Sequence, residues 1–145
     1  YFEDAEQTAK TIDGEGWLHT GDVAALDDDG RLRILDRIKD IVIVGGFNAY
    51  PVEIEIALGE HPAIAQVAVI GLPDARMGEV VAACVVLQPG RSLTISELTE
   101  WARERMANFK VPRHLMIYDS LPMTSLGKVQ KAELRQSVLL HLNQA

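Results

Sequence analysis

The sequence predicts an α+β fold: a small mixed sheet with helices packed on it, preceded by a β-hairpin segment. Three observations carry this. Two stretches, Ile64 to Leu72 and Val80 to Leu87, are rich in β-branched residues and nearly continuous in hydrophobicity, as strands buried on both faces are. Thr94 with Glu97 three residues on forms a capping-box pattern, and Ile95, Leu98, Trp101, Ala102 and Met106 follow it at helical spacing. The segments run as hairpin, charged joint, hairpin, helix, strand, strand, helix, strand, loop and helix, an order suited to a small sheet covered by helices.

Each element has a local reason. Tyr1 to Gly16 is polar and weakly patterned. Val23 to Leu26 and Arg31 to Leu35 read as hairpin arms, with Leu32 and Ile34 on one side of the second arm and Arg31 and Arg33 on the other. Between them Asp27-Asp28-Asp29-Gly30 is turn chemistry, Gly30 being suited to positive φ. Asp36-Arg37-Ile38-Lys39-Asp40 interrupts the strands with four charges in five residues. Ile41 to Val44 is a short strand, Gly45-Gly46 a turn, and Phe47 to Tyr50 leaves it. Pro51 suits the first turn of a helix, because its missing N–H would have been unpaired there. Val52, Ile54, Ile56, Ala57 and Leu58 supply the apolar side of that helix, which ends near Gly59. Leu115 to Tyr118 is a strand and Leu121 to Gly127 a loop. From Gln130 a helix carries Leu134, Val138 and Leu142 on one face.

Composition narrows the function classes. The 145 residues hold 14 Lys and Arg against 21 Asp and Glu, a formal charge of −7, so the chain lacks the basic footprint of a nucleic-acid binder. No apolar run approaches the ~20 residues of a membrane helix, and no signal segment opens the chain. The protein is expected to be cytoplasmic or peripheral to a membrane. The single cysteine, Cys84, lies within an apolar run and reads as an inert buried thiol. His19, His61, His114 and His141 are scattered without metal-ligand spacing, and no metal-binding residue is expected. Trp17 and Trp101 read as packing residues. The first residue is Tyr1 rather than Met, so the sequence reads as an excerpt of a longer chain. Residues 1–38 lack a helix to cover their hairpin and are expected to pack on something upstream, with residues 39–145 forming a second domain after the charged joint.

Several residues are candidates for chemistry, each with a plainer reading. Lys128, after Gly127 in a loop, can place an ammonium on a phosphate or carboxylate oxygen, or can simply be solvated. It is not part of a Walker A loop, since Val129 stands where Ser or Thr is required. Asp22, just past the turn of His19-Thr20-Gly21, can accept two ribose hydroxyls or can satisfy turn amides. Arg37 and Lys39 belong either to an exposed ion-pair cluster or to a joint exposed in two domain arrangements. Gly45-Gly46 makes a weak phosphate cradle but a good tight hairpin past which a thin ligand can run.

Taken together and in order, the motifs Trp17-Leu18-His19-Thr20-Gly21-Asp22, Gly30-Arg31, Asp36-Arg37-Ile38-Lys39-Asp40, Gly45-Gly46-Phe47-Asn48-Ala49-Tyr50-Pro51-Val52-Glu53-Ile54-Glu55 and Pro122-Met123-Thr124-Ser125-Leu126-Gly127-Lys128-Val129 resemble the C-terminal part of acyl-CoA synthetases. These belong to the AMP-forming adenylating superfamily, with firefly-type luciferases and the adenylation domains of peptide synthetases. The resemblance covers nearly the whole chain. It implies the C-terminal subdomain fold of adenylate-forming enzymes, and a first segment belonging to a large N-terminal adenylation domain. That domain would hold most of the acyl pocket, the nucleotide base and the phosphate loop. It also implies ATP with Mg2+, held mostly by the N-terminal domain, coenzyme A as co-substrate, and a carboxylic acid, fatty or related, as the acyl donor. The isolated fragment is expected to be inactive.

Residue by residue, the resemblance makes Asp22 the ribose-hydroxyl acceptor, Arg37 its partner near the nucleotide, Lys39 the hinge and Lys128 the lysine that bridges acyl carboxylate and α-phosphate during adenylation. Gly45 and Gly46 lie in the hairpin that lines the pantetheine channel after rotation about the hinge. Tyr50-Pro51 before Val52-Glu53-Ile54-Glu55 is the form typical of acyl- and aryl-CoA ligases, where peptide-synthetase domains usually carry Leu-Gly. The terminal Asn143-Gln144-Ala145 is not a Ser-Lys-Leu address. Leu126 stands where the family more often has a small residue. Two rival readings keep the fold and change the role: a stand-alone non-catalytic adaptor, or a ligase that loads a carrier-protein pantetheine.

Overall fold

A computed structural model describes residues 1–142, so Asn143-Gln144-Ala145 lies outside the described residues. The chain divides into two compact units, Tyr1–Lys39 and Asp40–Ala145.

The first unit opens with a helix, α1 (Ala5–Thr11), in the segment that reads as unpatterned in the sequence. None of its residues is buried, so apolar periodicity had nothing to report. The signal that does exist is local. The Asp4 side chain accepts from the Gln7 amide at 2.8 Å, and Lys10 pairs with Glu6 one turn back at 2.6 Å. Asp13 then organises a turn: its carboxylate accepts from the amides of Trp17 and Glu15 and meets His19 Nε2 at 3.0 Å. The Trp17 amide bond, with help from His19, holds that carboxyl below its usual range. Strands β1 (Asp22–Leu26) and β2 (Leu32–Arg37) form the expected antiparallel hairpin, with Gly30 at φ 76° closing the turn. Its apolar side chains are not covered within the unit. Leu26, Leu32 and Ile34 are exposed, and so is Trp17, a residue that the sequence alone places among the packing residues. Asp36 departs from an exposed charge cluster: it is 3% exposed and accepts from the Arg37 amide.

The second unit is built on one sheet. Strands β3 (Val42–Val44) and β4 (Phe47–Ala49) form a short hairpin, and β5 (Ile64–Asp74) and β6 (Gly78–Leu87) a long one. The order is β4-β3-β6-β5, with β7 (His114–Ile117) parallel to β6. Thus β5 runs along one edge of β6, while β3, at Gly78, and β7, at Ala82 to Val85, share the other. Alternate residues of the long hairpin enter two cores. Val69, Val81, Ala83 and Val85 face one, and Ala68, Ile70, Leu72, Val80, Ala82 and Cys84 the other. Burial on both sides explains the unbroken apolar runs.

Helices complete the two layers. α2 (Pro51–Gly59) starts on its proline and buries Pro51, Ile54 and Leu58. Val52 and Ile56, counted on its apolar side from the sequence, are instead 38% and 67% exposed. They share a stripe one turn apart, rotated away from the Ile54–Leu58 stripe. α3 (Ile95–Arg103) has both limbs of its capping box and buries Leu98 and Ala102 in the same layer as α2. α4 (Lys131–Leu142) covers the other layer through Leu134 and Val138, while Leu142 lies at its exposed end rather than on the buried face. No helix among the described residues is long and apolar enough to cross a membrane.

Candidate functional site

The sequence-derived residues fall into four places. In the first unit, Asp22 and Arg37 are cross-strand partners at the open end of the β1–β2 ladder. Arg37 Nε lies 3.4 Å from Asp22 Oδ1. Gly21 precedes the strand at φ 76°, and the Asp22 amide donates to Thr20 Oγ1 at 3.2 Å, so the carboxylate stands just past a tight turn. A guanidinium beside an accessible carboxylate offers hydroxyl acceptors and an anion partner side by side. Lys39 lies in a single 3-10 turn, Ile38–Asp40, at the border of the two units, exposed and without an ion-pair partner among the described residues.

Lys128 stands in a braced turn. Met123 and Val129 form an isolated antiparallel bridge. Inside it the Thr124 amide donates to the Lys128 carbonyl at 2.7 Å, and the Gly127 amide to the Thr124 carbonyl at 3.0 Å. Thr124 Oγ1 accepts from the Lys128 amide at 3.1 Å. Gly127, at φ 74°, supplies the left-handed residue that closes such a loop. Leu126 is 85% exposed at the tip, so its bulk meets nothing that the turn requires. The backbone of Lys128 is held while its exposed ammonium has no ion-pair partner among the described residues. That combination suits a cation delivered to an anionic ligand.

Gly45 and Gly46 form the β3–β4 turn with φ 58° and 88°, the double left-handed pair of a tight hairpin. The Gly45 amide donates to the Met77 carbonyl at 2.8 Å, and a Cβ on Gly45 would lie 2.6 Å from Met77 Cε. Beside the turn, Phe47 stacks on Phe109 with centroids 5.1 Å apart, and Lys110 clasps both Glu53 oxygens at 2.6 and 2.7 Å. Sequence reasoning missed this pair of contacts, because residues 47 and 53 meet residues 109 and 110 only through the fold. The Gly45 hairpin packs on the core layer of α2 and α3, and the Lys128 turn on the layer of α4. The structure therefore pairs Asp22 with Arg37, and it sends Val42, Val44 and Ala49 of the Gly45-Gly46 hairpin into one core layer while Val129 of the lysine turn packs on the other. Among the described residues, no three His, Cys, Asp or Glu side chains gather as a metal site.

Comparison with known proteins identifies a family for the chain. The model of the AMP-binding enzyme C-terminal domain matches residues 53–128, the stretch from α2 to the lysine turn. A methyl-dioxo-octahydroindenyl-propanoyl:CoA ligase of Rhodococcus jostii is 54% identical over 136 residues, covering 94% of this chain and 26% of that protein. The mitochondrial medium-chain acyl-CoA ligase ACSF2 of Homo sapiens is 36% identical over 143 residues, 99% of this chain and 23% of that one. The ATP-bound structure of MatB from Rhodopseudomonas palustris superposes with a TM-score of 0.85 at 39% identity, over 91% of this chain and 26% of MatB. The chain thus spans about a quarter of the length of the relatives it matches. With more than half of its residues inside the family model and these adenylate-forming neighbours around it, the chain belongs to the AMP-binding enzyme C-terminal domain family.

Proposed function

We propose that the chain is the C-terminal part of an AMP-forming acid–CoA ligase. The observation that carries this reading is the Lys128 ammonium, without an ion-pair partner among the described residues, on its braced turn at the end of the segment that matches the family. In the first half-reaction an oxygen of the acyl carboxylate attacks the α-phosphorus of ATP. The new P–O bond forms as the bond to the bridging oxygen breaks, and pyrophosphate leaves. Negative charge gathers on the oxygens around phosphorus, and Lys128 donates there. At ~4 Å and an effective dielectric of ~20 the attraction is ~4 kcal/mol before solvation costs, enough for ~10²–10³ in rate if most of it is specific to the transition state. In the second half-reaction the sulfur of coenzyme A attacks the acyl carbon, AMP leaves and the thiol gives up its proton.

An amine parked on the nucleotide would obstruct the thiol. Rotation about Lys39 removes it and presents the opposite side of the sheet, where Gly45-Gly46 leaves room for a thin pantetheine arm. Asp22 binds the ribose hydroxyls with Arg37 beside it. Residues 1–38 are the tail of a large adenylation domain, which their uncovered Leu26, Leu32 and Ile34 support. That domain holds the acyl pocket and magnesium, since among the described residues no three His, Cys, Asp or Glu side chains gather as a metal site. The acid is fatty or related, in keeping with the ligases that the chain resembles.

The test uses ATP–pyrophosphate exchange. Residues 1–145 alone give none, and the full-length protein gives exchange with a suitable acid. In the full-length protein Lys128→Ala lowers exchange ~10²–10³-fold and spares thioester formation from supplied acyl-adenylate. Equal losses in both steps would remove the role given to Lys128.

A further inference from the structure

The Lys128 turn runs straight into α4, and α4 is clamped at its first two turns by carboxylates from elsewhere in the unit. Lys131 Nζ lies 2.7 Å from Glu55 Oε1 of α2, with both side chains about one-fifth exposed, at 22% and 20%. One turn further along, Arg135 Nη2 lies 3.0 Å from Glu79 Oε1 of β6. Each carboxylate also takes a backbone amide that the sheet leaves over. Glu55 Oε1 accepts from Val69 on the edge strand β5 at 2.8 Å, and Glu79 Oε2 accepts from Ile43 of β3 at 3.0 Å. Gly71 leaves the space for the second of these: a Cβ there would lie 3.1 Å from Glu79 Oε1. The carboxylates are therefore fixed to the sheet before they meet the helix.

Apolar burial seats α4 through Leu134, at the end of its first turn, and Val138 one turn on, and the two ion pairs add directional contacts to the same stretch. Lys131 lies three residues from Lys128, and Gln130 ties back to Pro122 through a 2.8 Å backbone bond. A small rotation of the first turn moves everything attached to it, and a misplacement of about 1 Å can cost ~100-fold in rate.

We propose that Glu55 and Glu79, acting through Lys131 and Arg135, are positioning residues for the adenylation half-reaction: they hold the first turn of α4 so that Lys128 reaches the nucleotide. This rests on the reading of Lys128 given above. Glu79 reaches further, since the same carboxylate also holds the strand that enters the Gly45-Gly46 turn. The Glu55–Lys131 pair is the cleaner probe, because Glu55 holds no strand of the Gly45-Gly46 hairpin, whereas Glu79 also accepts from Ile43 of β3.

The experiment uses the full-length protein and measures the two half-reactions separately, with thermal melts to confirm folding. Glu55→Gln keeps an acceptor for the Val69 amide and removes the charge; Lys131→Met removes the partner. Each is expected to lower the kcat of ATP–pyrophosphate exchange roughly tenfold with little change in KM. Thioester formation from supplied acyl-adenylate stays within about twofold. The double variant is no worse than either single one, and Lys131→Arg restores exchange. Equal loss in both half-reactions would reduce the pair to a fold contact and overturn the proposal. Full exchange in Lys131→Met, while Lys128→Ala abolishes it, would overturn the positioning role and leave the reading of Lys128 standing. Full exchange in Lys128→Ala would overturn both.

Discussion

Arg37 holds its Nε 3.4 Å from Oδ1 of Asp22, across the last rung of the β1–β2 ladder. The proposed ribose acceptor is thus oriented by the residue proposed to sit near the nucleotide. The two side chains are 55% and 31% exposed, so the pair contributes little to stability, about 0–1 kcal/mol.

Asp22→Ala in the full-length protein is accordingly expected to raise the KM for ATP at least ~10-fold, the scale of lost hydrogen bonds to a charged acceptor. The melting temperature should hardly move. Substrate titration and a thermal melt on the same preparation check both halves. An unchanged KM would mean that this carboxylate touches no nucleotide.

Gly45→Ala and Gly46→Ala both place a side chain at positive φ, 58° and 88°. Each should cost about 1–2 kcal/mol of stability. Gly45→Ala should cost more, because its Cβ must also displace the end of Met77, whereas nothing lies within 4 Å at Gly46. In kinetic assays both should slow the thioester-forming step and leave pyrophosphate exchange close to normal. Slower exchange with normal thioester formation would reverse the assignment of the hairpin.

The Thr94 hydroxyl, followed by its amide, holds the Glu97 carboxyl below its usual range. A carboxylate with a depressed folded pKa stabilises the fold above its unfolded value and stops doing so as pH falls through the folded value. Urea melts from about pH 6 to pH 3 should therefore show a loss of stability that Thr94→Ala makes shallower, from a lower starting point. Parallel curves for the two proteins would show that the cap does not titrate with this group.

Burial pushes the Cys84 thiol up to about 12, and its side chain lies in the α4 core layer, fully covered. A thiol reagent at mildly alkaline pH should leave the native protein unlabelled and modify it once per chain in denaturant. Rapid labelling without denaturant would mean that the β5–β6 hairpin opens readily.

What could be read from the sequence was whatever repeats with a short period or hangs on a few neighbouring residues. The two long strands were visible because both of their faces are buried, although their pairing as a hairpin was not. Pro51 and the Thr94–Glu97 box marked helix starts, and Gly45-Gly46 a turn, by chemistry confined to a few positions. α1 was missed because it buries nothing and periodicity is a signal of burial. Val52 and Ile56 were counted with the core because residue type carries no angle; only the packing of Ile54 and Leu58 against the sheet fixes which stripe faces inward. For the candidate site, the motif residues could be named from their order. The clamp of Glu55 with Lys131 and Glu79 with Arg135 could not, since 76 and 56 positions separate the partners and only the sheet brings them together.

The exposed tip of the lysine turn has a practical use. With Cys84 shielded, Leu126→Cys would create the one accessible thiol within residues 1–145, two residues from Lys128, on a loop whose shape is set by Thr124 and Gly127. A fluorophore attached there would turn the loop into a spectroscopic ruler, so that its travel during turnover could be timed by light.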